Sequence, residues 1–146
     1  MTDTKKIKIY VAAPFDDRLK AKRVAKKFEK AGFEIIHDWW NYDQGSLSED
    51  RLGYEKKCAE EDLNAVLNSD VLYLMNLQKR GEETSGKAVE LGIALGHNAV
   101  CPHKIVIFAE GIRHTNVFQL LDQVVWVPNS SVVIKRLTEG MPHYGS

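Results

Sequence analysis

With 146 residues the chain is long enough for one domain with an ordinary core, and 44% hydrophobic and 27% charged residues are the proportions of a globular fold. Twenty basic and twenty acidic residues cancel, so net charge gives no case for a nucleic-acid polymer or a membrane surface as partner, and no apolar run approaches the length of a membrane span. Cys58 and Cys101 make neither a disulfide framework nor a zinc spacing, and the five histidines show no paired ligand spacing, so no metal is expected. A reducing cytoplasm is the default compartment. Met1 to Lys6 lead straight into a strand, so no signal peptide is expected.

Ile7 to Ala13 reads as a strand ended by Pro14. Asp16 and Asp17 open a helix that runs to about Ala31, with Ala21, Val24, Ala25 and Phe28 as its apolar stripe. Its many lysines and arginines read as a solvated outer face, because no aromatic residue interleaves with them. Gly32 caps that helix, and Phe33 to His37 is a second strand. Trp39, Trp40 and Tyr42 then crowd a loop. Two adjacent tryptophans cannot easily both point inward, so one is expected to line a pocket or an interface.

A second helix covers about Glu49 to Asn68, with Ala59, Leu63, Val66 and Leu67 as its buried side, Asp62 at the margin and Glu61 on the surface. Asp70 to Met75 is a strand with little polar alternation, as in a sheet covered on both faces. After a loop, Thr84 to Gly96 opens a third helix that is small and apolar apart from Lys87 and Glu90. Gly92 and Gly96 each cost about 1 kcal/mol relative to Ala, so close approach of a neighbouring element is expected there. Lys87, Glu90, Ala94 and His97 share one face, which reads either as a solvent stripe or as part of a site. Lys104 to Phe108 is a fourth strand. Thr115 can cap a short helix from Asn116 to Leu121, Val124 to Val127 is a fifth strand, and Ser130 or Ser131 caps a last helix through Leu137.

Alternation of strands and helices predicts an α/β fold: a single flavodoxin-like or Rossmann-like three-layer domain spanning 1–146, its core at about 7–137, around a five-stranded parallel sheet in the order 2-1-3-4-5. Ligands in such sheets bind beyond the carboxyl ends of the strands, where the order reverses. The loops Ala12 to Asp17 and Asn76 to Ser85 would line that crevice, and the second runs into the Glu90 helix. Gly81, Gly86 and Lys87 resemble half a Walker loop, but Ala88 stands where a magnesium-binding hydroxyl would be needed. Amides near Gly86 at the helix start are nevertheless suited to an anion such as phosphate. Glu90 and Asp62 form a candidate carboxylate pair. A glutamate near a helix N-terminus is expected to be ionised, as a nucleophile must be, and a second carboxyl can pass the proton that a departing nucleobase needs.

Ile9 to Phe15, Glu61-Asp62-Leu63 with Asn68 to Val71, Gly86 to Ala94 carrying Val89-Glu90-Leu91-Gly92, and Asn116-Val117-Phe118 together resemble the nucleoside 2-deoxyribosyltransferase superfamily over about residues 7 to 127. The resemblance implies a flavodoxin-like fold and cleavage of the N-glycosidic bond of 2'-deoxynucleosides without a cofactor. It implies that Glu90 attacks the anomeric carbon, that Asp62 contacts the base and assists its protonation, and that Tyr10 stands beside the nucleophile. Asn116 matches the asparagine that reaches the sugar in a neighbouring subunit, so a homodimer or higher oligomer is expected. Phe15 and Trp39 or Trp40 would wall the base pocket, and Ala12, Pro14, Ser85, Gly86 and Phe118 complete the candidate substrate-binding set.

One departure from the family pattern bears on substrate. Six residues before Glu90, where transferases carry an aspartate that reads the 5'-hydroxyl, this chain has Thr84. A hydroxyl can donate to phosphate, whereas a carboxylate would repel it. The related deoxynucleoside 5'-monophosphate N-hydrolases have a small hydroxyl residue there, while Asn116 is transferase-like. The expected partner is therefore a small nucleoside or nucleotide, with no choice between base and water as acceptor. A non-catalytic nucleotide sensor and an NAD-type glycohydrolase are the alternatives.

Overall fold

The computed structural model of the chain describes residues 5–42, 51–77, 85–111 and 116–140. Strand β1 (Lys8–Ala12) is followed by a 3-10 turn (Phe15–Asp17) and helix α1 (Arg18–Lys30), and then by β2 (Glu34–Ile35) and a second 3-10 turn (Trp39–Asn41). Helix α2 (Arg51–Leu67), β3 (Val71–Asn76), α3 (Ser85–Val100), β4 (Val106–Gly111), a third 3-10 turn (Val117–Leu120), β5 (Val124–Trp126) and α4 (Ser130–Thr138) complete the order. The strands form one sheet in the order β2-β1-β3-β4-β5, all pairs parallel. This is the predicted α/β domain and strand order.

Every residue of β3 and four of the five in β1 are buried, as central strands covered on both faces must be. Helix α1 presents Ala21, Ala25 and Phe28 to the sheet, all fully buried, and its basic residues mostly face outward. Phe28 packs edge-on against Tyr73 of β3, ring centroids 5.3 Å apart, an arrangement worth about 0.5–1.5 kcal/mol beyond its buried area. Gly32, at φ +100, ends α1 as predicted. Helix α4 starts one residue earlier than expected: Asn129, not Ser130 or Ser131, caps it by accepting from the Val132 amide at 3.3 Å.

Helices α2 and α3 pack against each other, and here the sequence reading needs two corrections. On α2 only Ala65 and Val66 are buried; Leu63 and Leu67 are 42% and 37% exposed and Ala59 is exposed. On α3, Gly92 and Gly96 face outward, and among the described residues an added Cβ at either would meet nothing within 4 Å, so no close approach of a described element explains them. The inward side of α3 is the one that carries Lys87, Glu90, Leu91 and Ala94. The solvent-stripe alternative for that face is excluded.

Gly111 closes β4 at φ +100, where a Cβ would come within 2.4 Å of the Asn76 carbonyl oxygen. Neither the left-handed backbone nor the overlap tolerates a side chain. Gly111→Ala is expected to lower stability by at least about 2 kcal/mol in urea unfolding; an unchanged midpoint would show that β4 ends differently.

Candidate active site

The reversal of strand order between β1 and β3 leaves an open cavity of about 740 Å³ at the carboxyl ends of these strands. β1 contributes Tyr10, the segment after it Ala13 and Phe15, and the turn after β2 Trp39 and Tyr42. α2 contributes a face running from Arg51 to Leu63, and α3 contributes Gly86, Lys87, Val89, Glu90 and Ile93. Ala59 and Leu63, expected in the core, are walls of this cavity. A helix that leans over a hollow shows the same apolar stripe as one that leans on a core.

Tyr10 is fully buried, and its hydroxyl donates to Glu90 Oε2. Burial, then the charges of Glu90 and Asp62, push the phenol far above its ordinary range, so it stays a donor. Glu90 is pushed up to about 8, chiefly by burial, with Asp62 adding to the rise and the Tyr10 hydrogen bond opposing it. Burial therefore favours the protonated form of Glu90, against the expectation of an ionised residue. The helix N-terminus does not prevent this. Glu90 is the sixth residue of α3, past the first turn where the dipole acts.

Asp62 lines the same cavity and is held from behind. His37 Nε2 lies 3.1 Å from Asp62 Oδ1, and the Tyr42 hydroxyl is 3.0 Å from the same oxygen. Tyr42 also contacts His37 Nε2 and reaches Glu61 Oε2 and the Cys58 carbonyl, each at 3.2 Å. Glu61 is thus part of this cluster rather than plain surface. Burial, then the Asp62 charge, push the Tyr42 phenol far up as well, which leaves Asp62 facing a proton donor.

A third cluster fixes the start of α3. Lys87, 2% exposed, donates to Asn76 Oδ1, and Asn76 in turn donates to Gln119 Oε1 at 3.1 Å. Helix α3 is thereby tied to the end of β3, which sets where Glu90, one turn on, projects.

The remaining candidates divide clearly. Phe15 and Trp39 face each other, centroids 6.2 Å apart, and the Trp39 indole donates to the Val11 carbonyl at 2.6 Å. Trp39 lines the cavity, while Trp40 lines a separate groove. Ala12 is fully buried within the sheet, and Pro14 is buried beneath the turn it opens; neither lines the cavity. Gly86 lines it and Ser85 opens α3, while Thr84 lies outside the described residues. Asn116 caps its turn by accepting from the Phe118 amide at 3.0 Å, and Phe118 is 61% exposed; neither lines this chain's own cavity. Among the described residues, no group of three or more His, Cys, Asp or Glu is placed to hold a metal ion, and no helix is long and apolar enough to cross a membrane.

No protein-family model matches the chain, and no curated protein matches it in sequence. Solved structures do match in shape. A conserved protein from Enterococcus faecalis V583 is 16% identical over 92% of this chain and 99% of its own, with a TM-score of 0.59. The Clostridium botulinum CMP N-glycosidase BcmB is 14% identical over 90% of this chain and 98% of its own, with a TM-score of 0.52. The fold is shared with both over nearly the whole length of each.

Proposed function

We propose that the protein is an enzyme of the nucleoside 2-deoxyribosyltransferase kind that cleaves the N-glycosidic bond of a 2'-deoxynucleoside or its 5'-monophosphate. The observation that carries the reading is the Tyr10 hydroxyl on Glu90 in a cavity that Asp62 also lines. The fold shared with BcmB, described as a CMP N-glycosidase, supports the same class of bond cleavage.

In the reactive form the one proton of the pair sits on Asp62 and Glu90 is ionised; Tyr10 occupies Oε2, so Oε1 is the oxygen that attacks the anomeric carbon. The C–N bond breaks with its electron pair going to the base, Asp62 delivers a proton to a base nitrogen, and a glycosyl ester forms on Glu90. Water or a second base then attacks the anomeric carbon and frees the Glu90 carboxylate. The attacking group returns its proton to Asp62, so the cycle closes with no cofactor. Phe15, Trp39 and Tyr42 supply the aromatic walls against which a base can stack. Thr84, Ser85 and Gly86 precede Glu90 in sequence and are the candidates for holding a 5'-phosphate.

The test is incubation with the four common 2'-deoxynucleosides, their 5'-monophosphates and CMP, followed by detection of free base. Addition of a second free base yields a new nucleoside only if the acceptor can be a base. Tight binding of a nucleotide with no release from any of these compounds would favour the sensor reading.

A homo-oligomer belongs to this proposal, because Asn116 does not reach its own cavity and would complete a neighbour's. The outward face of α3 supports it: Val100 is 82% exposed and shares a stripe with Gly92 and Gly96. In a lone chain, Gly96→Ala would add up to about 1 kcal/mol through helix propensity. If a second copy packs on the stripe, the added methyl enters that contact. The expected outcome is a weaker dimer on analytical ultracentrifugation, whereas a more stable protein of unchanged mass would place the interface elsewhere.

A further inference from the structure

A second groove, of about 380 Å³, lies between α1 and the segment after β2, lined in part by Lys22, Lys26, His37, Asp38 and Trp40. His37 lines this groove and is not among the residues lining the larger cavity. Its side chain is 14% exposed, and its Nε2 lies 3.1 Å from Asp62 Oδ1. His37 thus stands between the carboxyl group of one hollow and the water of the other.

We propose that His37 is a positioning residue for Asp62 and the path by which Asp62 exchanges its proton with water in the second groove. The inference rests on the reading of Asp62 as the proton donor to the leaving base. A base seated against Phe15, Trp39 and Tyr42 fills the cavity in front of Asp62, so water on that side is displaced. The described contacts behind Asp62 are His37 and Tyr42. Of these two, His37 is the one that also lines the second groove, so its ring is the geometric link between the Asp62 carboxyl and that groove.

As the C–N bond breaks and Asp62 gives its proton to the base, His37 Nε2–H passes a proton to Asp62 Oδ1 and the ring takes one up from groove water. When water or a second base attacks the glycosyl ester, its proton goes to Asp62 while the proton that Asp62 holds passes to His37 Nε2 and the ring returns one to the groove, so both residues end the cycle as they began it. Among the described residues, the charged and titratable groups around the imidazole are Asp62 and Glu61 from α2, Tyr42 and Asp38 beside the turn after β2, Tyr10 from β1, and Lys22, Lys26 and Glu29 from α1, which line the same groove. Tyr10 approaches by its ring, centroids 6.3 Å apart, while its hydroxyl is committed to Glu90. The same histidine side therefore does not serve the nucleophile directly.

The experiment compares wild type, His37→Ala and His37→Gln on the deoxynucleosides, 5'-monophosphates and CMP named above. In His37→Ala, kcat is expected to fall by about tenfold to a hundredfold with KM nearly unchanged. Free imidazole, small enough for the vacated groove, should restore kcat in a saturable manner. His37→Gln keeps a hydrogen bond but carries no proton in transit. It should remain slow, with a flattened pH profile and no response to imidazole. Wild-type kcat and pH profile in His37→Gln would overturn the proposal, as would a loss in His37→Ala that imidazole leaves untouched. If His37→Ala fails to fold, the Gln variant decides alone. A wild-type protein that releases base from none of the compounds is a failure of the underlying reading, visible before any variant is made.

Discussion

Glu90→Gln is expected to reduce base release by at least about a thousandfold while leaving nucleotide binding within a few-fold of wild type. Gln has the same shape and can still accept from Tyr10, whose hydroxyl contacts Glu90 Oε2, so the cavity and its walls persist. An amide oxygen cannot form the glycosyl ester, however, and no other carboxylate is paired with Tyr10 among the described contacts. Initial rates and calorimetric titration of the two proteins provide the comparison. The pH dependence follows from the same residue. Base release needs Glu90 ionised and Asp62 protonated together, so the pair has to hold one proton between them. Because Glu90 is pushed up to about 8, kcat/KM should fall as pH rises above that value, where the shared proton is lost.

The same substitution should stabilise the protein in alkaline solution. Glu90 is raised from 4.5 to about 8 in the fold, so between these values the folded state holds a proton that the unfolded chain has already lost. The wild type is then most stable, as far as this group is concerned, below pH 4.5, and loses stability as pH rises through 8. At about 1.4 kcal/mol per pH unit the ceiling is a few kcal/mol, and structural relaxation leaves roughly 3 kcal/mol. Gln has no proton to lose. Glu90→Gln should match wild type in urea unfolding at pH 4 and exceed it by roughly 3 kcal/mol at pH 8.5. Equal stability at pH 8.5, or the same gain at pH 4, would mean that the carboxyl is not buried at a cost. A carboxyl held at such a cost fits a site kept for chemistry rather than for stability.

Three of the five strands were legible from punctuation, with Pro14 after β1, Gly32 before β2 and Pro128 after β5, and the strand–helix alternation gave the order. Glu90 was legible as the lone carboxylate in a small, apolar helix, and Tyr10 through the motif that precedes Pro14. His37 and Tyr42 were not legible as site residues. They flank the turn Trp39–Asn41, where neither a period of two nor one of 3.6 indicates which way a side chain points, and His37 read as the last residue of a strand. The density of aromatics there was the available signal, and it pointed to a pocket wall rather than to the partners of Asp62.

The helix faces were misread for a related reason. Periodicity finds an apolar stripe but does not say what the stripe meets. On α2, Ala59 and Leu63 meet a cavity, and on α3 the stripe of Gly92, Gly96 and Val100 faces outward. The Lys87–Asn76–Gln119 cluster joins residues far apart in sequence through a parallel crossover, and no local pattern encodes such a contact.

The central claim is that Glu90 becomes covalently bound to the sugar. Turnover of the substrate that releases base, quenched in acid within milliseconds and followed by peptide mass mapping, tests it most directly. The peptide containing Glu90 is expected to gain the mass of the bound sugar, the gain to disappear as substrate is exhausted, and Glu90→Gln to show neither adduct nor free base. Base release at the wild-type rate in Glu90→Gln, or an adduct mapped to another residue, would contradict it.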